Sequence, residues 1–174
     1  MIERQPIEHV ALEHFREQGR LFAILDACDS PSIPVLCAGL GESRAVSLYR
    51  GTAEEQFADI APYLVHVDTA ELLDWVLQFS VTPGWGIMIV ASGTLEQLRT
   101  HFRKFLKVQG PDGKPMYFRF YDPRVLEMFL PTCNTEQLIQ LYGPAELFAT
   151  RDGAQPIIAS RRAGSVLNPV AQPK

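Results

Sequence analysis

The stretch "GWGIMIVAS" (84–92) limits the fold more than any other part of the chain, because it runs unbroken in apolar side chains from Ile87 to Ala91. A run this short has neither the length nor the three-and-four spacing of a surface helix. It is bounded by turn residues, so it reads as a strand covered on both faces. "LFAILDA" (21–27) has the same character and is closed by "CDSPS".

Helices are announced by their starts. Thr94 with Gln97 and Asn134 with Gln137 have the spacing of capping boxes, and Thr52 with Glu55 and Asp68 with Glu71 repeat it. Behind Thr94, Leu95, Leu98, Phe102 and Phe105 fall on one apolar stripe. An earlier helix is expected from about Ile7 to Gln18, with Val10, Ala11 and Phe15 on one side. "IPVLCAGL" is read as a short helix, and "AVSLY" and "APYLVHV" as strands. Lys107–Gln109 and Met116–Tyr121 flank the turn sequence "GPDGKP", which predicts a hairpin; a second is expected around Asp152-Gly153. Strands alternating with helices predict a mixed α/β fold: a single domain over residues 1–162, with a central mixed β-sheet flanked by helices and C-terminal hairpin elements. Residues 163–174 are expected to form a flexible tail.

The formal net charge of −4 gives no electrostatic reason to bind nucleic acid or an anionic membrane. No apolar run has the length of a spanning helix, and "MIERQPIEHVALEHFREQG" lacks the apolar core of a signal peptide. The three cysteines, Cys28, Cys37 and Cys133, form no CxxC pair. A cytoplasmic protein with buried thiols is expected.

The usual chemical motifs are incomplete. "GLGE" lacks the third glycine of a dinucleotide loop and the lysine of a P-loop, so it reads as a helix C-cap. Ser92 lacks the preceding glycine of a nucleophile elbow and suits a helix start. His9 and His14 are spaced wrongly for one helix face. No cofactor, metal or catalytic residue is expected. The polar residues that stand out lie in "FRFYDPRVLEMFLP" (118–131). Asp122 is placed to cap a helix whose first residue is Pro123. Arg119, within an aromatic strand, is expected either to stack at a surface or to be buried against a carboxylate, and Asp26 at the end of "LFAILDA" is the candidate partner. Asp26, Arg119 and Asp122 are therefore read as structural pins, whereas Arg124, His101 and Arg103 are the candidate partner-binding residues. Trp75 and Trp85 are read as core.

The ordered series "LFAILDAC", "SLYRG", "APYLVHV", "GWGIMIVAS", "LRTHFRKFLKV" and "MYFRFYDPRVLEMFLP" resembles the effector chaperones, or adaptors, of type VI secretion, a family catalogued as a domain of unknown function. The resemblance is strongest over residues 20–131. It implies a non-enzymatic protein that binds the N-terminal segment of a toxic effector and helps load it onto the VgrG-type spike protein. The family supplies no catalytic residues. The alternative, from the residues alone, is a small hydrolase or transferase with a pocket around His101 and the Arg119, Asp122 and Arg124 cluster.

Overall fold

The computed structural model describes residues 1–28, 30–110 and 112–163. In chain order the elements are β1 (Ile2–Pro6), α1 (His9–Glu17), β2 (Leu21–Asp26), α2 (Ser32–Leu40), β3 (Ala45–Ser47), α3 (Thr52–Gln56), β4 (Pro62–His66), α4 (Ala70–Phe79) and β5 (Gly86–Ala91). There follow α5 (Leu95–Phe102), β6 (Lys107–Gln109), β7 (Pro115–Tyr117), α6 (Pro123–Phe129), α7 (Thr135–Tyr142), β8 (Ala145–Thr150) and β9 (Ile158–Arg162). The mixed α/β fold and both hairpins are present. Residues 164–174, most of the expected tail, lie outside the described residues.

Seven strands form one sheet in the order β1-β9-β8-β5-β2-β4-β3. Strands β2 and β5 sit inside it, and every residue of both is buried. Alternate side chains explain their unbroken apolar character. Leu21, Ala23 and Leu25 enter a core with Leu12 and Phe15 of α1 and Leu73 and Val76 of α4. Phe22 and Ile24 enter the opposite core, with Leu98 and Phe102 of α5, Leu126 of α6 and Leu141 of α7. The result is a three-layer arrangement with the sheet in the middle.

The expected mixed pairing within the sheet is corrected, because every neighbouring pair is antiparallel. The cause is interleaving. Strands β2 and β3 run the same way, as a helical crossover requires, but β4 lies between them; β2 likewise lies between β4 and β5.

Other departures are local. Strand β1 was not anticipated, since four of its five residues are exposed and it has no apolar alternation. Helix α1 buries Leu12 and Phe15 and leaves Val10 71% exposed, so the expected apolar side is rotated. Gly51, not Thr52, occupies the cap position of α3 and no side chain caps it. Thr69, not Asp68, caps α4, accepting from the Leu72 N–H at 3.2 Å, because Asp68 is paired with Arg44. Trp85 is buried; Trp75 is half-buried, stacked on Phe79 with ring centroids 5.0 Å apart.

Candidate functional site

The motif "FRFYDPRVL" is held in place by its own aromatics. Phe120 is fully buried, and Phe118 packs edge-on to Phe129 at 4.8 Å. Strand β7 ends at Tyr117, so Arg119 lies beyond it in the connection to α6, not within a strand as expected. Between these two anchored rings Arg119 is turned toward the end of β2. There its guanidinium Nη2 donates to Asp26 Oδ2, and Asp26 Oδ1 accepts the Cys28 N–H at 3.0 Å. Burial holds the Asp26 carboxyl above its ordinary range, although the Cys28 N–H and Arg119 pull it down. Arg119 keeps 40% of its side chain exposed against 2% for Asp26. Desolvation opposes its charge, but Asp26 outweighs this and keeps it firmly protonated.

Asp122 caps α6 as expected. Its Oδ1 accepts the Arg124 backbone N–H and the guanidinium Nε, each at 3.0 Å, and Oδ2 accepts Nη2 at 2.6 Å. Burial would raise this carboxyl; the Arg124 hydrogen bonds overcome it and hold it below the ordinary value. Arg124 does point outward, but its fork is closed on Asp122. Asp26, Arg119 and Arg124 border a cavity of about 60 Å³, together with Cys28 and Trp85. Gly84 makes room for it: with φ of 68°, it would place a Cβ 3.1 Å from Arg124 Nη2. All four carboxylate oxygens of this cluster already accept hydrogen bonds. The arrangement ties the ends of β2, the β5 turn and α6 together. Cys28 is exposed here and Cys133 half-exposed, contrary to the expected buried thiols; Cys28 sits on the turn after β2. Only Cys37 is buried, with its thiol pushed up to about 12 by desolvation.

His101 and Arg103 are not part of that cluster. His101 packs against Phe102 and Phe105 at 4.9 and 5.2 Å and contacts the Leu141 carbonyl through Nε2 at 3.0 Å. Burial lowers its pKa, against the upward pull of the Leu141 carbonyl. Gly143 (φ 50°) lies so close that a Cβ there would be 2.1 Å from the ring. Arg103 donates Nε to the Leu48 carbonyl at 2.9 Å and Nη2 to the Tyr49 carbonyl. Desolvation, with Arg99 and Arg50 nearby, brings its pKa down to about 10. Arg99, which the sequence did not single out, donates Nε to the Ser47 carbonyl and Nη2 to Glu54, both at 2.9 Å. Two arginines of one helix and its extension therefore cover the carbonyls where β3 ends.

Two larger concavities flank that point. A trough of about 530 Å³ runs past β3 and is lined by Glu42, Glu54, Glu96 and Arg99, among others. A cleft of about 270 Å³ opens between Tyr49 and the β6–β7 hairpin. The hairpin was expected, but its exposure was not: all six strand residues are exposed. Periodicity registers apolar residues without telling which of them stay uncovered. Among the described residues, no three His, Cys, Asp or Glu side chains converge as metal ligands, and no helix is long and apolar enough to cross a membrane.

Residues 21–140 match the sequence model of the family described as Domain of unknown function (DUF4123). The matched span contains Asp26, His101, Arg103, Arg119, Asp122 and Arg124. No curated protein and no solved structure matches the chain.

Proposed function

The chain belongs to the DUF4123 family, and on that premise we propose that it is a non-enzymatic adaptor: a cytoplasmic chaperone that binds the N-terminal segment of a type VI secretion effector and helps load it onto the spike protein. One observation carries most of the support. In the two most specific segments of the resemblance, "HFRKF" and "FRFYDPRVL", the candidate residues His101, Arg103, Arg119, Asp122 and Arg124 each hold backbone or another side chain. His101 is at the Leu141 carbonyl, Arg103 at Leu48 and Tyr49, Arg119 at Asp26, and Asp122 at Arg124. A nucleophile or general base needs a free proton-accepting atom facing a site. With Nε2 donating to Leu141, His101 keeps Nδ1 as such an atom, but it borders none of the concavities described above. The hydrolase or transferase alternative has less support, because His101 does not line the cavity bordered by Arg119 and Arg124.

The test is co-expression with the products of the neighbouring effector and spike genes. A complex that survives purification at mild salt is expected. If all three proteins are folded and the chain purifies alone, the adaptor reading fails.

A further inference from the structure

The β6–β7 hairpin is a sheet separate from the seven-stranded one, and all six of its strand residues are exposed. A two-stranded ribbon is marginal in isolation, so an exposed one of this composition marks a surface awaiting cover. Its register pairs Val108 with Met116 on one face and Lys107 with Tyr117 on the other. Val108 is 40%, Met116 51% and Tyr117 63% exposed. The Lys107–Tyr117 face closes one side of the 270 Å³ cleft, with Lys107 Nζ 5.4 Å from the Tyr117 ring centroid. Tyr49 closes the other side, its ring 6.3 Å from that of Tyr117. Leu48 and Leu106, both buried, supply an apolar floor.

The charge of the cleft is one-sided. Arg50, Arg103 and Lys107 line it, and no carboxylate does, although the chain as a whole is acidic. Arg103 already donates to the Leu48 and Tyr49 carbonyls, and Arg50 meets the exposed Glu96 at 3.6 Å outside the cleft. Aromatic walls, an apolar floor and a lining whose charged groups are all cations are the composition of a protein-binding patch, where tyrosine and arginine supply most of the energy. Three cations on a chain of net charge −4 are a poor match for a polyanion such as a nucleic acid.

We infer that the cleft between Tyr49 and the β6–β7 hairpin is the docking surface for an acidic, amphipathic polypeptide segment, which lays an apolar side chain against the tilted Tyr49–Tyr117 ring pair and sets carboxylates against Lys107 and, in exchange for Glu96, against Arg50. This rests on the adaptor reading for the kind of partner, a polypeptide. It also replaces the basic partner that overall net charge alone would suggest.

The probe is a library of short random peptides displayed on phage, selected on the intact chain at low salt and rescreened on variants. Enriched peptides are expected to place Asp or Glu beside an aromatic or aliphatic residue. Tyr117→Ala, and separately Lys107→Glu with Arg50→Glu, are expected to weaken them by about tenfold or more while leaving the melting temperature unchanged. Raising the salt should weaken them too. No enrichment, enrichment of basic peptides, or peptides that bind both variants as they bind the parent would overturn the assignment. So would a single-stranded oligonucleotide that outcompetes them for the cleft. If the effector complex forms but ignores both variants, this surface is wrong while the adaptor reading stands. Peptides that use the cleft, with no complex on co-expression, would leave the surface standing and sink the adaptor reading.

Discussion

Arg119 and Asp26, 93 residues apart in sequence, show what a single ion pair does when only one partner is buried. Asp26 has lost nearly all of its hydration, whereas Arg119 is two-fifths exposed. Arg119→Ala leaves the carboxylate with the Cys28 N–H alone. Because solvent already screens the arginine, the expected loss is about 1–3 kcal/mol rather than the larger cost of breaking a fully buried pair. The urea midpoint should fall accordingly, and an unchanged midpoint would refute the pin. His101 makes a separate prediction. Its folded pKa lies below the ordinary 6.5, so the unfolded chain takes up this proton before the folded one does. Stability from this site is therefore complete above pH 6.5 and declines as pH falls below it. His101→Gln, which keeps an N–H for the Leu141 carbonyl, should flatten the slope of Tm against pH just below 6.5. An unaltered slope would show that another group titrates there.

Individual elements differ in how far local chemistry decides them. Thr94 and Asn134 form reciprocal capping boxes with Gln97 and Gln137, as their spacing predicts. Replacing either cap by alanine should cost about 0.5–2 kcal/mol in urea denaturation. Thr52→Ala should have no comparable effect, because Gly51 holds that cap position; an equal loss would mean that Thr52 caps α3 after all. The same contrast explains what was legible. Caps, Pro-initiated α6 and the two doubly covered strands depend on residues within a few positions, or on burial of both faces, and both leave a local pattern. Strand β1 and the insertion of β2 between β4 and β5 depend on distant partners, Ile2 opposite Arg162 for example, and leave none. For the candidate site, the Asp26–Arg119 pair is one of the two arrangements open to an arginine among aromatics, and the fold realises it at the end of β2. The exposure of Tyr117 and Met116 did not follow, because nothing local states that a hairpin lies outside the sheet.

At the scale of the whole molecule, both edges of the main sheet are protected. Strand β1 carries Glu3 and Arg4 and ends in Pro6, whereas β3 has three residues and its end is covered by Arg99 and Arg103. Charges, proline and short length are the usual defences against edge-to-edge association. Arg99→Ala with Arg103→Ala should therefore promote concentration-dependent self-association in sedimentation experiments; a double variant that stays as monodisperse as the parent would contradict this. With these edges protected, the hairpin cleft is an uncovered, partly apolar surface among the described residues, in keeping with the proposed adaptor that grips a partner segment. The most direct test is calorimetric titration of the purified chain with the effector's N-terminal segment. The account predicts saturable binding with a negative heat-capacity change, from apolar surface buried in the cleft. Absence of any binding heat across a range of temperatures, with both components folded and soluble, would contradict it.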